Sequence, residues 1–306
     1  GMKNFGDNYV SPWFMSSDDT DVMCGMGEGM SAMTFPLGPK IDPMIPMVTL
    51  ASGMCADERS KEEELRSIRA LRKGDVETSQ DARTMQKRWA NVAAKRQLFG
   101  YQAVVRYFGE PGEKCPEFAD INEKQSYMFG MLGGIQAFQL DLANGGTAGV
   151  PLDILPKATQ ALSCLDSKEL WGIPDAVLAA QGLAKATLGG DKNDIAVYEA
   201  KLSNAAAIGE AKGVRLVQML EAAVYFSLGD EDKTKQIIRD HVKAKKEMPA
   251  DPNLKLLDEM ATRGILLISD KIWTKHTGQR TPYGQLGTFW DDVAKPSTSL
   301  DIDNLL

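Results

Sequence analysis

The sequence predicts an all-α fold built from paired helices. Three observations point there. Ala, Leu, Met, Glu, Gln and Lys, which lose little entropy in a helix, are abundant, while aromatics make up only 7% of the 306 residues. Apolar positions recur every three or four residues over most of the chain, and no stretch sustains the period-two alternation of a strand. Gly and Pro fall between these periodic runs, where helices stop.

Residues 1–24 carry no period. Gly6, Pro12, Ser16, Ser17 and the acidic run Asp18, Asp19, Asp21 read as an extended arm or linker. From residue 25 to 273 helical periods dominate and define one domain. Short apolar stretches at 28–37 and 44–55 are separated by Pro36, Pro39 and Pro43, and an amphipathic segment from Lys61 to Lys73 closes at Gly74. The clearest helix spans 76–108, with Thr78 or Ser79 as its cap and Gly109 and Pro111 as its stop. Met85, Trp89, Val92, Arg96, Phe99, Ala103 and Tyr107 form a stripe along it, apolar except for Arg96. A second helix spans 121–143 and stops at Asn144-Gly145-Gly146. Gly130, Gly133 and Gly134 lie inside it, each costing about 1 kcal/mol against Ala, which implies close approach of a neighbouring helix. Shorter helices follow at 155–165, 168–187, 194–208, 213–228, 231–246 and 253–273.

A faint repeat runs through this second half. Leu188-Gly189-Gly190-Asp191 and Leu228-Gly229-Asp230 each join two helices, and the apolar offsets after each Asp nearly match. Helix, Gly-Asp turn, helix is an αα-hairpin, and stacked hairpins of this kind make a tetratricopeptide-like array. The tail, 274–306, follows Trp273 and sets Tyr283, Phe289 and Trp290 among Gly278, Gly284 and Gly287. Such a segment is expected to be irregular and to pack across the helical body, with 295–306 loose.

Composition removes several functional classes. A net charge of −7 gives no electrostatic footprint for nucleic acid, and no apolar stretch approaches the roughly 20 residues needed to span a bilayer. There are two histidines, His241 and His276, with no zinc-hydrolase spacing and no nucleophile elbow. His241, beside Ile237, Ile238 and Val242, reads as a satisfied core residue. Gly25-Met26-Gly27-Glu28-Gly29 lacks the spacing and the preceding strand of a dinucleotide loop, and the Asp18 to Asp21 run lacks calcium-loop spacing. No metal, cofactor or catalytic residue is therefore expected.

Two features remain. Cys24, Cys55, Cys115 and Cys164 contain no C-x-x-C pair, and each sits near Gly, Pro or Asp at a helix end or loop. They form either two disulfides in an oxidising compartment, with three pairings open, or four separate thiols. Arg96 sits in the stripe of Trp89, Phe99 and Tyr107. A cation on an apolar face needs a partner, since burying it alone costs several kcal/mol. Either these four residues flank a cleft and Arg96 meets a small anionic ligand bidentately, or Arg96 makes a structural salt bridge or extends its head to solvent.

The segment Leu188 to Lys271 resembles the tail half of the TRAP-transporter T-component family. The resemblance is carried by Leu-Gly-Gly-Asp at 188–191, Ala-Val-Tyr-Phe at 223–226, Asp230 with its helix to Lys246, and Asp-Pro-Asn-Leu-Lys-Leu-Leu-Asp-Glu-Met-Ala-Thr-Arg-Gly-Ile-Leu-Leu-Ile at 251–268. The long helix 76–108 is similar to that family's early helices. The stretch Cys24 to Met30 and the aromatic tail 273–292 depart from it. The resemblance implies a periplasmic lipoprotein of helical repeats that forms oligomers and pairs with a solute-binding subunit. Cys24 does not fit as the lipid site, because Asp21-Val22-Met23 lacks the small residues that such processing needs, so a lipidated cysteine would lie upstream. Gly1 before Met2 reads as a protease scar after a removed leader, and Met2 equally as a native start. The function expected is a non-catalytic component of solute uptake, with a helical scaffold unrelated to transport as the alternative.

Overall fold

The computed structural model describes residues 6–37, 39–112 and 114–292. Among them there are eleven α-helices and no strand: α1 (Ser11–Ser16), α2 (Thr20–Leu37), α3 (Ile45–Arg72), α4 (Val76–Phe108), α5 (Ile121–Ala143), α6 (Ile154–Leu162), α7 (Ile173–Gly189), α8 (Lys192–Glu210), α9 (Leu216–Ser227), α10 (Glu231–Glu247) and α11 (Lys255–Thr277). A π-helical turn at Gly6–Val10 and a 3₁₀ segment at Pro39–Met44 complete the helical elements.

The two long helices expected at 76–108 and 121–143 form over those spans. The cap of α4 is Asp75, three residues before the nearer hydroxyl expected from sequence. Asp75 Oδ1 accepts the Thr78 N–H at 3.0 Å, while Ser79 is buried and shares a hydrogen bond with Ser67 at 2.8 Å. Asp120 caps α5 in the same way through the Glu123 N–H. At the far end of α4, Gly109 leaves the helix at a φ of 89°, which a side chain would resist.

α3 and α4 are an antiparallel hairpin, joined by Lys73-Gly74-Asp75 and matched from Ser67 against Ser79 to Gly53 against Gln97. Their seam differs from the expected stripe. The most buried side of α4 is made of Ala82, Ala90, Ala93, Ala94, Gly100 and Ala103, with Gln97, Tyr101 and Val104. Small residues let helix axes approach closely, so the tightest contact falls on alanines and glycines and the larger stripe flanks it. α5 meets α4 on the same terms. A Cβ at Gly134 would lie 2.6 Å from the Tyr101 ring, and one at Gly130 would collide with Val104. The glycines inside α5 are therefore the sites of close approach that their presence in a helix implied.

From α5 onward each helix packs on the next, and α11 returns against α3. Arg263 to Glu58, Lys271 to Glu64 and Arg72 to the Lys275 carbonyl rise together in number, so α3 and α11 run parallel. The two Gly-Asp turns share their chemistry. Gly190 and Gly229 take positive φ, and Asp191 and Asp230 each cap the helix that follows. Between α6 and α7 the expected helix 168–187 starts later, at Ile173, because Trp171 and Gly172 both have positive φ and Pro174 sets the first turn.

The N-terminal segment is not an extended arm: residues 6–16 and 20–37 are helical and bury Phe14, Met15 and Met23 against the body. The boundary drawn at residue 24 therefore falls inside α2. Asp19 Oδ1 accepts the Val22 N–H and so caps α2, which gives part of the acidic run a structural role. At the other end α11 extends to Thr277, and residues 278–292 fold back over α10 and α11 without regular structure, as expected. Phe289 is buried under Lys235 and Arg239, and Trp290 packs on Trp273 and stacks on His276. Residues 295–306, expected to be loose, lie outside the described residues.

Candidate functional site

Eight of the 15 methionines fall between residues 15 and 54. Methionine is unbranched and polarisable, and it suits surfaces that must adapt to what they enclose. The fold gathers several of these side chains. α1 and the start of α2 lie over α3 and α11, and beneath them is an apolar pocket holding about 540 Å³ of non-atom space, part of it open to solvent. Met15, Met23, Met47, Met54, Phe129 and Met260 are among its walls. A second space of about 620 Å³ lies beyond Phe14 and Met47, which border both, and reaches Asn122, Gln125 and Ser126 on α5. Mostly apolar walls with a few polar groups are what a small-molecule site requires.

The roof is fastened by covalent and ionic contacts. Cys24 on α2 is bonded to Cys55 on α3, their Cα atoms 5.6 Å apart. Gly27 follows, so close to α3 that a Cβ there would lie 2.8 Å from the Ser52 nitrogen. Glu28, one residue on, takes both Arg59 nitrogens at 2.7 and 3.0 Å and Arg96 Nη1 at 2.8 Å. The Arg59 hydrogen bond, ahead of those from Arg96, holds the Glu28 carboxyl below its ordinary range. The other pair, Cys115 and Cys164, ties the loop before α5 to the turn after α6, with Cα atoms 5.4 Å apart. One of the three open pairings is thus selected. Unfolded without reductant, the protein is expected to show no reactive thiol on titration. Each bridge should contribute about 2–4 kcal/mol, read as the loss of denaturant resistance on reduction. Four titratable thiols would contradict the pairing.

The four residues of the expected ligand cleft do not converge. Arg96 finds its counter-charge inside the chain, on Glu28, and also donates to the Ser52 carbonyl at 2.6 Å. Trp89 lies under the Arg59 guanidinium at 4.8 Å. Phe99 sits under Arg106, which in turn holds Asp42 through two hydrogen bonds. Tyr107 donates to Glu123 at 3.0 Å. The stripe serves two ionic contacts, at Glu28 and at Asp42, and one hydrogen bond to Glu123, because it flanks the α3/α4 seam rather than facing a cleft. Of the pocket residues, the sequence singles out Cys24, as a disulfide candidate. The one available signal was the density of methionine before residue 55.

A second polar cluster is buried among α9, α10 and α11. Arg215 and Asp258 are both fully buried and paired at 2.8 Å, and Asp258 also accepts the Arg215 backbone N–H at 3.0 Å. The guanidinium further donates to the carbonyls of Ala244 and Met248. Beside it, His241 is hydrogen-bonded to Gln218 at 2.8 Å and to Thr262 at 3.0 Å, the satisfied core histidine expected from sequence. Burial, reinforced by the charges of Lys245 and Arg215, pushes His241 down to about 3. This cluster has no cavity against it among those described above, and its groups are spent on one another. It pins three helices together. No protein-family model, curated protein or solved structure matches the chain.

Proposed function

We propose that this chain is a non-catalytic binding component of a periplasmic, TRAP-type solute-uptake system, holding an apolar ligand beneath its N-terminal helices and acting through contact with a solute-binding subunit. The observation that carries the reading is the methionine-walled pocket under a roof stapled by Cys24 and Cys55. A pocket with this lining offers burial and little acid–base chemistry. Two disulfides suit an oxidising compartment such as the periplasm. The hairpins α7/α8 and α9/α10, read as tetratricopeptide-like, and the resemblance of residues 188–271 supply the transport part of the proposal, including lipid anchoring and self-association.

The pocket is tested with N-phenyl-1-naphthylamine, an uncharged dye that fluoresces in apolar surroundings. It is expected to bind with rising emission. Met47→Trp, which fills space bordering both chambers, should weaken binding by about tenfold or more, roughly 1.4 kcal/mol. Binding unchanged in a folded Met47→Trp protein would place the dye elsewhere and overturn the pocket. The transport part stands or falls on the gene neighbourhood, where genes for a solute-binding protein and a membrane permease are expected.

A further inference from the structure

We infer that the pocket selects against negative charge on its ligand: it takes an apolar chain whose head is uncharged or cationic, and refuses a carboxylate. This rests on the pocket reading above and adds the chemistry of the head group. Arg263 is the cation among the lining residues, and it is already engaged. Its Nε donates to Glu58 Oε1 at 2.8 Å, a second guanidinium nitrogen reaches the same oxygen, and Asp21 lies 3.7 Å away. Glu58 itself lines the pocket. Two carboxylates, Glu58 and Asp21, therefore already face the one cation among the described lining residues. An incoming carboxylate would have to displace Glu58 from Arg263 or sit beside like charge in a partly desolvated rim, where such repulsion is strong.

The far chamber offers no anion site either. Asn122, Gln125 and Ser126 are neutral, and the Ser126 hydroxyl donates to the Pro43 carbonyl at 2.6 Å. Between the chambers stand Phe14 and Met47, and a flexible thioether can move aside for a chain. An unbranched chain passing between them would gain about fourfold in affinity per added methylene until the space is full.

The test is displacement of N-phenyl-1-naphthylamine from the oxidised protein by dodecan-1-ol, dodecylamine and dodecanoate at one neutral pH. The alcohol and the amine should each displace the dye at concentrations at least about tenfold below dodecanoate. Glu58→Gln removes the nearer carboxylate from Arg263, and should bring dodecanoate to within about threefold of the alcohol when both are measured on that variant. Dodecanoate competing equally with the alcohol in the unmodified protein would overturn the head-group inference while leaving the pocket standing. Failure of the dye to bind at all would remove both. A Glu58→Gln protein that still refuses dodecanoate, with its helical circular dichroism intact, would show that Glu58 and Arg263 do not set the preference.

Discussion

Replacing Asp258 with alanine is expected to lower stability by about 3–5 kcal/mol, because it leaves the Arg215 guanidinium buried without its counter-charge. Both side chains are fully buried, and the Arg215 Nε already lacks a hydrogen-bond partner. The remaining acceptors, the carbonyls of Ala244 and Met248, carry no net charge to offset the guanidinium. Lys245, 3.8 Å from Asp258, would add repulsion once the carboxylate is gone. The double variant Arg215→Met with Asp258→Leu should recover most of the loss, since an apolar pair of similar size avoids desolvating two charges. Urea denaturation of the three proteins measures this directly. A loss under about 1 kcal/mol in Asp258→Ala would mean that the pair is open to water.

Acidification gives the second large effect. His241 is neutral in the folded chain down to about pH 3, whereas the unfolded chain takes up a proton near the ordinary value of 6.5. Between those limits the unfolded state binds more protons, so stability is full above pH 6.5 and falls as the pH drops. The slope approaches about 1.4 kcal/mol per pH unit, and the accumulated loss by pH 4 is about 3 kcal/mol. Glu221 acts in the opposite direction. Burial pushes its carboxyl up to about 7, so the folded chain gains a proton first and gains stability as the pH falls from 7 towards 4.5. The two effects offset each other in the unmodified protein over that window. Comparing it with His241→Gln isolates the histidine. The stability difference between the two should shift in favour of the variant by about 3 kcal/mol from pH 7 to pH 4. Parallel curves would show that His241 reaches water when folded.

The parts of this fold that could be read from the sequence are those with local causes. The spans of α4 and α5 were readable because their apolar period runs to stops at Gly109 and Asn144 that depend only on adjacent backbone, although the cap of α4 is Asp75 and not the expected Thr78 or Ser79. The glycines of α5 announced a close neighbour because nothing else justifies them in a helix interior. What failed had distant causes. Residues 1–24 read as an extended arm, yet α1 and the start of α2 form there, with Cys24 bonded to Cys55 and Gly27 just beyond set against the α3 backbone. The large stripe on α4 suggested a buried face, whereas the alanines beside it take the seam. Arg96 stood between a ligand and a structural salt bridge, and the sequence could not choose because Glu28, the partner that decides for the salt bridge, is 68 residues away. The pocket was illegible for the same reason: Phe14, Met47 and Met260 share a surface only after α11 has returned to α3.

The central claim, that the roof formed by α1 and α2 covers a ligand site, is tested most directly by hydrogen exchange. Amide exchange would be followed by mass spectrometry in the oxidised protein, with and without saturating N-phenyl-1-naphthylamine. Slower exchange is expected in 14–24, 47–58 and 256–263, the segments that wall the pocket. Protection confined to α7 through α10, or none at dye saturation, would contradict it.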